Sequence, residues 1–153
     1  MIDKLKPYSA TLLAIGGFTL MAIGSYFIFF RPALLPEDYK YIEATSLVLQ
    51  KNIPLLSNWL QKVFWVMGCY IFSTGLLTIF ISRTSFRKRI KGVVYIVAIT
   101  GISSIASMTV INFMLASDFR WILLVLNLPW LGAVILYSFE KDKIPNSKKT
   151  SIL

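Results

Sequence analysis

The chain has no histidine and a single cysteine, and its four longest apolar stretches contain no Asp, Glu, Lys or Arg. Each absence removes a class of function. Without histidine, the commonest haem and zinc ligand and the commonest general base are missing. With Cys69 alone there is neither an intrachain disulfide nor a thiolate cluster, and its place inside an apolar stretch reads as packing. Ion-coupled transport commonly uses an ionisable group at membrane depth, and none of the usual ones is present there. No glycine-rich phosphate loop, nucleophile elbow or paired-cysteine motif occurs. The expectation is a protein without cofactor or metal, and one that leans away from enzymes.

What is present is apolar. Hydrophobic residues make up 56% of the 153 positions and charged residues 15%, against roughly 25% charged in soluble domains. A core of this size cannot bury that much apolar surface, so lipid must cover it. The chain therefore reads as one membrane domain, residues 1–153.

The apolar stretches fall at about 8–30, 63–82, 92–116 and 121–139. The first is long enough to cross ~30 Å of hydrocarbon at 1.5 Å per residue and too long for a signal peptide, so it is expected to be an uncleaved span. Trp59 and Trp65 stand near the start of the second as interface anchors. Ser117 or Asp118 in the tight third connection could cap the fourth helix. Residues 140–153 form a polar tail.

Orientation follows from the positive charges. Lys4 and Lys6, the basic loop (Arg83, Arg87, Lys88, Arg89, Lys91) and the tail lysines (141, 143, 148 and 149) share one side of the sequence's alternation. The other side holds Arg31, Lys40, Lys51, Lys62 and Arg120, offset by Glu37, Asp38, Glu43 and Asp118. The positive-inside bias places both termini and the basic loop in the cytoplasm and the 31–57 connection outside, with the cell (inner or plasma) membrane as the expected location.

Small residues recur at intervals of seven: Ala10, Gly17 and Gly24 in the first span, Gly68 and Gly75 in the second, Thr100 and Ser107 in the third. A repeat of seven keeps one helix face on its partner, and small residues let backbones approach closely in lipid. The expected fold is all-α, an antiparallel four-transmembrane-helix bundle with an extracytoplasmic amphipathic helix between spans 1 and 2.

Three groups of residues are candidate sites. On the third span Thr100, Ser103, Ser104 and Ser107 share one arc of about 100°. With Asn127 and Pro129 of the fourth span they could line a cavity, or bond to their own helix carbonyls. Pro129 is expected to kink its helix.

In the outer connection, Pro36 followed by Glu37 and Asp38 reads as a helix start, extending to about Lys51 and ended by Asn52-Ile53-Pro54. Glu37, Asp38, Tyr41 and Glu43 form the candidate outer site, because paired carboxylates can transfer protons or hold a cation. Neighbouring helical residues point about 100° apart, however, which favours helix-start roles for Glu37 and Asp38.

The basic loop residues Arg83, Arg87, Lys88, Arg89 and Lys91 could contact anionic lipid headgroups at ~1 kcal/mol each. The leading expectation is a small polytopic binding, scaffold or accessory module, with a membrane-protein partner or a second copy as candidate partners besides lipid. The alternative is a small transporter or oligomeric channel using the Thr100–Ser107 stripe, and a lipid-modifying enzyme using the outer acids comes third. The charge pattern gives no reason to invoke nucleic acid.

Overall fold

The computed structural model describes residues 8–141, and among these every regular element is helical. Lys4, Lys6 and the tail beyond Lys141 lie outside the described residues. The elements are α1 (Tyr8–Phe29), α2 (Pro36–Tyr41), α3 (Ser46–Asn52), α4 (Leu56–Ile81), α5 (Val93–Gly101), α6 (Ser107–Met114) and α7 (Arg120–Lys141). A π-helical turn, Ser82–Phe86, prolongs α4, and another, Ile102–Ala106, joins α5 to α6 as one continuous third span.

Four of the resulting helices are long and apolar enough to cross a membrane: Tyr8–Phe29, Leu56–Phe86, Val93–Met114 and Arg120–Glu140. A 22-residue helix is about 33 Å long at 1.5 Å per residue, which matches the hydrocarbon layer. The second span differs from its sequence-based bounds. It starts at Leu56 and runs for 31 residues, because backbone hydrogen bonding continues through polar Ser57, Asn58, Gln61 and Lys62 where hydropathy ends.

Helices α1 and α4 meet along the seven-residue glycine repeat. A Cβ placed on Gly24 would lie 2.5 Å from Phe72 N and 2.8 Å from Gly68 O. One on Gly75 would lie 2.6 Å from Gly17 O. Gly17 thus faces Gly75 and Gly24 faces Gly68, backbone against backbone, an approach only glycine permits. Leu13 and Leu20 are buried on the same helix, and Ala10 completes the buried row.

The other side of α1 packs on α7, where Gly16 receives the Trp130 ring. The third span packs chiefly on α7. Its buried face is a row of five residues at intervals of four, Val93, Val97, Gly101, Ile105 and Thr109, which is one helical stripe. The spatial order is therefore α4, α1, α7, third span. The inner two helices each have two main neighbours and the outer two chiefly one, so the spans do not form an evenly closed bundle.

The outer connection departs from the single helix expected over residues 36–51. It is two short helices separated by a turn at 42–45, where Glu43 adopts a left-handed φ of 52°. The physical cause is Thr45. Its hydroxyl accepts the Val48 N–H at 3.4 Å and starts α3 afresh, so a side-chain cap replaces the helical bonds that a continuous helix would make here. The expected proline start is present: Pro36 occupies the first turn of α2 and the Asp38 carboxylate accepts the Leu35 N–H at 2.8 Å.

Candidate functional site

The two ion pairs among the described residues lie at the two ends of the helix layer, and each is organised by an arginine. At the end carrying the basic loop, the π-helical turn delivers Phe86 into the core, where it stacks on Tyr137 with ring centroids 4.5 Å apart. The chain then reverses through Arg89 (φ 54°) and Gly92 (φ 88°). Anchored in this way, Arg89 turns inward. It donates to the Tyr137 carbonyl at 2.9 Å, pairs with Glu140 at 2.6 Å and lies 4.6 Å from the Tyr137 ring centroid.

Glu140 binds in the other direction as well. Its carboxylate accepts the Ser9 hydroxyl at 2.6 Å and the Ser9 N–H at 3.1 Å. That N–H is one of the first-turn donors of α1, which have no partner within their own helix and attract negative charge. One carboxylate thus fastens the start of α1, the end of α7 and the basic loop together.

The rest of the loop faces outward. Arg83, Arg87, Lys88 and Lys91 are exposed, and among the described residues none has a carboxylate within ion-pair distance. Beside them, Tyr8, Thr11, Leu12, Leu136, Phe139 and Glu140 line an open, mainly apolar groove of about 440 Å³.

At the opposite end Arg31 plays the matching part. Its guanidinium carbon lies 3.5 Å from the Phe64 ring centroid and 5.3 Å from that of Phe27, and it pairs with Asp38 at 3.4 Å. Burial pulls the Arg31 pKa below its ordinary value, against the opposing effect of the Asp38 charge. Gln61 donates to the Arg31 carbonyl at 3.1 Å, tying the connection to α4. Glu37 reaches the other way, accepting the Ser117 hydroxyl at 2.6 Å and the Asp118 N–H at 3.2 Å.

The outer acids therefore diverge: Asp38 serves α2 and Arg31, and Glu37 serves the α6–α7 connection. Tyr41 and Glu43 are exposed and lie apart from both interactions. Among the described residues no three His, Cys, Asp or Glu gather as a metal site.

The hydroxyl stripe sits beside the buried row of the third span, not on it. Ser103 and Ser104 donate to the Thr100 carbonyl at 3.3 and 2.6 Å, and Ser107 donates to the Ile102 carbonyl at 2.7 Å. The last bond spans five residues and follows the π-helical turn. Asn127 points elsewhere, donating to Thr109 Oγ1 at 2.7 Å and the Ile105 carbonyl at 3.2 Å. Pro129 lies within α7 just before Trp130, whose indole N–H donates to the Val97 carbonyl at 3.0 Å. Asn127 and the stripe thus make separate sets of hydrogen bonds.

No family model, curated protein or solved structure matches the chain.

Sequence reasoning missed Ser9, Arg31, Thr109, Trp130 and Glu140. Thr109 could have been found as the continuation of Gly101 and Ile105 at a spacing of four. Glu140 had a signal too, as the acid that ends the last apolar span on the side of the basic loop. Ser9 and Arg31 are unremarkable in sequence, since their partners lie in distant segments or depend on a local backbone path.

Proposed function

We propose that this is a non-catalytic, multi-pass membrane module that binds anionic lipid headgroups through its basic loop. In this reading the four spans run antiparallel, both termini and the loop are cytoplasmic, and the connection holding α2 and α3 is outside. The facing of Gly17 with Gly75 and Gly24 with Gly68 supports opposed directions for the first two spans. The distribution of Lys and Arg supports the orientation.

The observation that carries the binding reading is the division of labour within the loop. Arg89 is consumed by Glu140 and Tyr137, so the loop has a fixed inner anchor. Arg83, Arg87, Lys88 and Lys91 remain exposed at the end of a span, which in this reading brings them to the phosphates of a bilayer. A rigid turn presenting four cations favours headgroup contact because little side-chain and backbone freedom is lost on binding.

The test is lipid retention after reconstitution into nanodiscs that contain phosphatidylcholine and phosphatidylglycerol. Replacing Arg83, Arg87, Lys88 and Lys91 one at a time by Gln should lower retained phosphatidylglycerol by roughly fivefold per charge, the equivalent of ~1 kcal/mol, and raised salt should do the same. Unchanged retention in the quadruple variant would rule the reading out. Reporter fusions test orientation separately: cytoplasmic labelling of the 36–52 segment would reverse it.

A further inference from the structure

We infer that α3 and the first turn of α4 form an elbow that lies in the headgroup–acyl boundary of the leaflet from which the α1–α4 connection emerges. The inference holds for either orientation of the protein in the membrane.

Gly24 faces Gly68, so five residues onward on α1, at Phe29, corresponds to five residues back on α4, at Val63. Helix α4 begins at Leu56. Its residues 56–62 therefore project past the end of α1 by about 10 Å at 1.5 Å per residue. The elbow therefore extends beyond the end of α1, toward the border of the hydrocarbon layer.

No residue of α3 is buried. Leu47 is 76% exposed, Leu55 71% and Trp59 61%, with Val48 and Ile53 exposed beside them. Such a run of apolar side chains in water is unfavourable, and large exposed apolar patches mark membrane or protein contacts. Lys40 and Lys62 flank this run in the sequence, Lys51 lies within it, and all three are exposed. Their aliphatic stems and charged heads suit the phosphate layer, and tryptophan suits the same depth.

Residues 31–38 are tied down on two sides, by Arg31 to Phe64 and Asp38 and by Glu37 to Ser117. Among the described residues, the hydrogen bonds of 46–55 are all made within the connection and to the first turn of α4. The elbow is thus held at its base and presents its apolar side chains away from the helix layer. Lipid is the occupant these features favour, because lysines lie beside and within the apolar run and the elbow extends beyond the end of α1.

The experiment uses the full chain with Cys69→Ala, a single cysteine at Leu47 or Leu55 carrying an environment-sensitive fluorophore, and phosphatidylcholine vesicles. Both labels should emit at shorter wavelength than the free dye. They should also be quenched by lipids with a nitroxide near the headgroup and be shielded at least severalfold from iodide. Iodide quenching equal to that of the free dye would overturn the inference, as would protection from both quenchers, which would mean that protein covers the patch. Either result leaves the basic-loop reading untouched, since that reading is measured by phosphatidylglycerol retention.

Discussion

The two seams on either side of the α1–α7 pair solve the same problem in opposite ways. Helix α4 joins α1 by bringing bare backbones together at Gly17, Gly24, Gly68 and Gly75. The third span joins α7 by filling the gap with a large side chain and tying it with hydrogen bonds from Trp130 and Asn127. In lipid, apolar burial does not drive helices together, so the contact must come from close packing or from polar bonds. The glycine seam has no room for error, since every small residue abuts backbone. The tryptophan seam relies on a few specific atoms and leaves most of its outer helix to the bilayer.

The difference can be broken by substitution. The largest effect is expected at the glycine seam. Gly24→Leu must displace the Phe72 backbone and should destabilise by about 3 kcal/mol or more, above the usual overpacking range because no flexible side chain can yield. Unfolding in detergent would measure it. Gly132→Ala provides the contrast, since a Cβ there meets only Leu12 Cδ1 at 3.4 Å, and should be neutral or stabilising by up to about 1 kcal/mol, as alanine is the better helix former.

The tryptophan seam should respond less and by a different mechanism. Trp130→Phe removes the bond to the Val97 carbonyl and part of the ring buried against Gly101, for an expected loss of about 1–2 kcal/mol. Asn127→Leu removes two bonds, each worth ~0.6 kcal/mol in a membrane helix pair, so a loss of about 1 kcal/mol is expected. A double-mutant cycle between positions 127 and 109 would show whether that energy resides in the pair. The smallest effect belongs to Ser103→Ala, whose exposed hydroxyl bonds only to its own helix at 3.3 Å; a change below about 0.5 kcal/mol in the same unfolding assay is expected.

The glycine seam was also the more legible of the two. Its repeat of seven is a local pattern, and small residues at that spacing have few other uses in an apolar span. The tryptophan seam was obscured because the hydroxyl stripe, Thr100 to Ser107, is the more conspicuous pattern on the third span. The buried row Val93, Val97, Gly101, Ile105 and Thr109 mixes residue types and shows no contrast with its surroundings in hydropathy. At the outer end, Pro36 and its following acids announced a helix start correctly, whereas Thr45 as a second cap was indistinguishable from a mid-helix threonine.

The candidate site was half legible. Five basic residues in one short loop are evident to any reader of the sequence. That Arg89 differs from the other four depends on Glu140 and Tyr137, some fifty residues away, and on a backbone reversal that turns its side chain inward.

Composition and apolar run length alone thus determined that the chain is helical and carries four helices able to span a membrane, because a bilayer demands backbone bonds satisfied within each segment. Only the tertiary structure decided which helices are neighbours, where the outer connection breaks, and which charges are spent on holding the ends together. Those outcomes depend on contacts between segments as much as 131 residues apart, and no local pattern encodes which distant partner a side chain will meet.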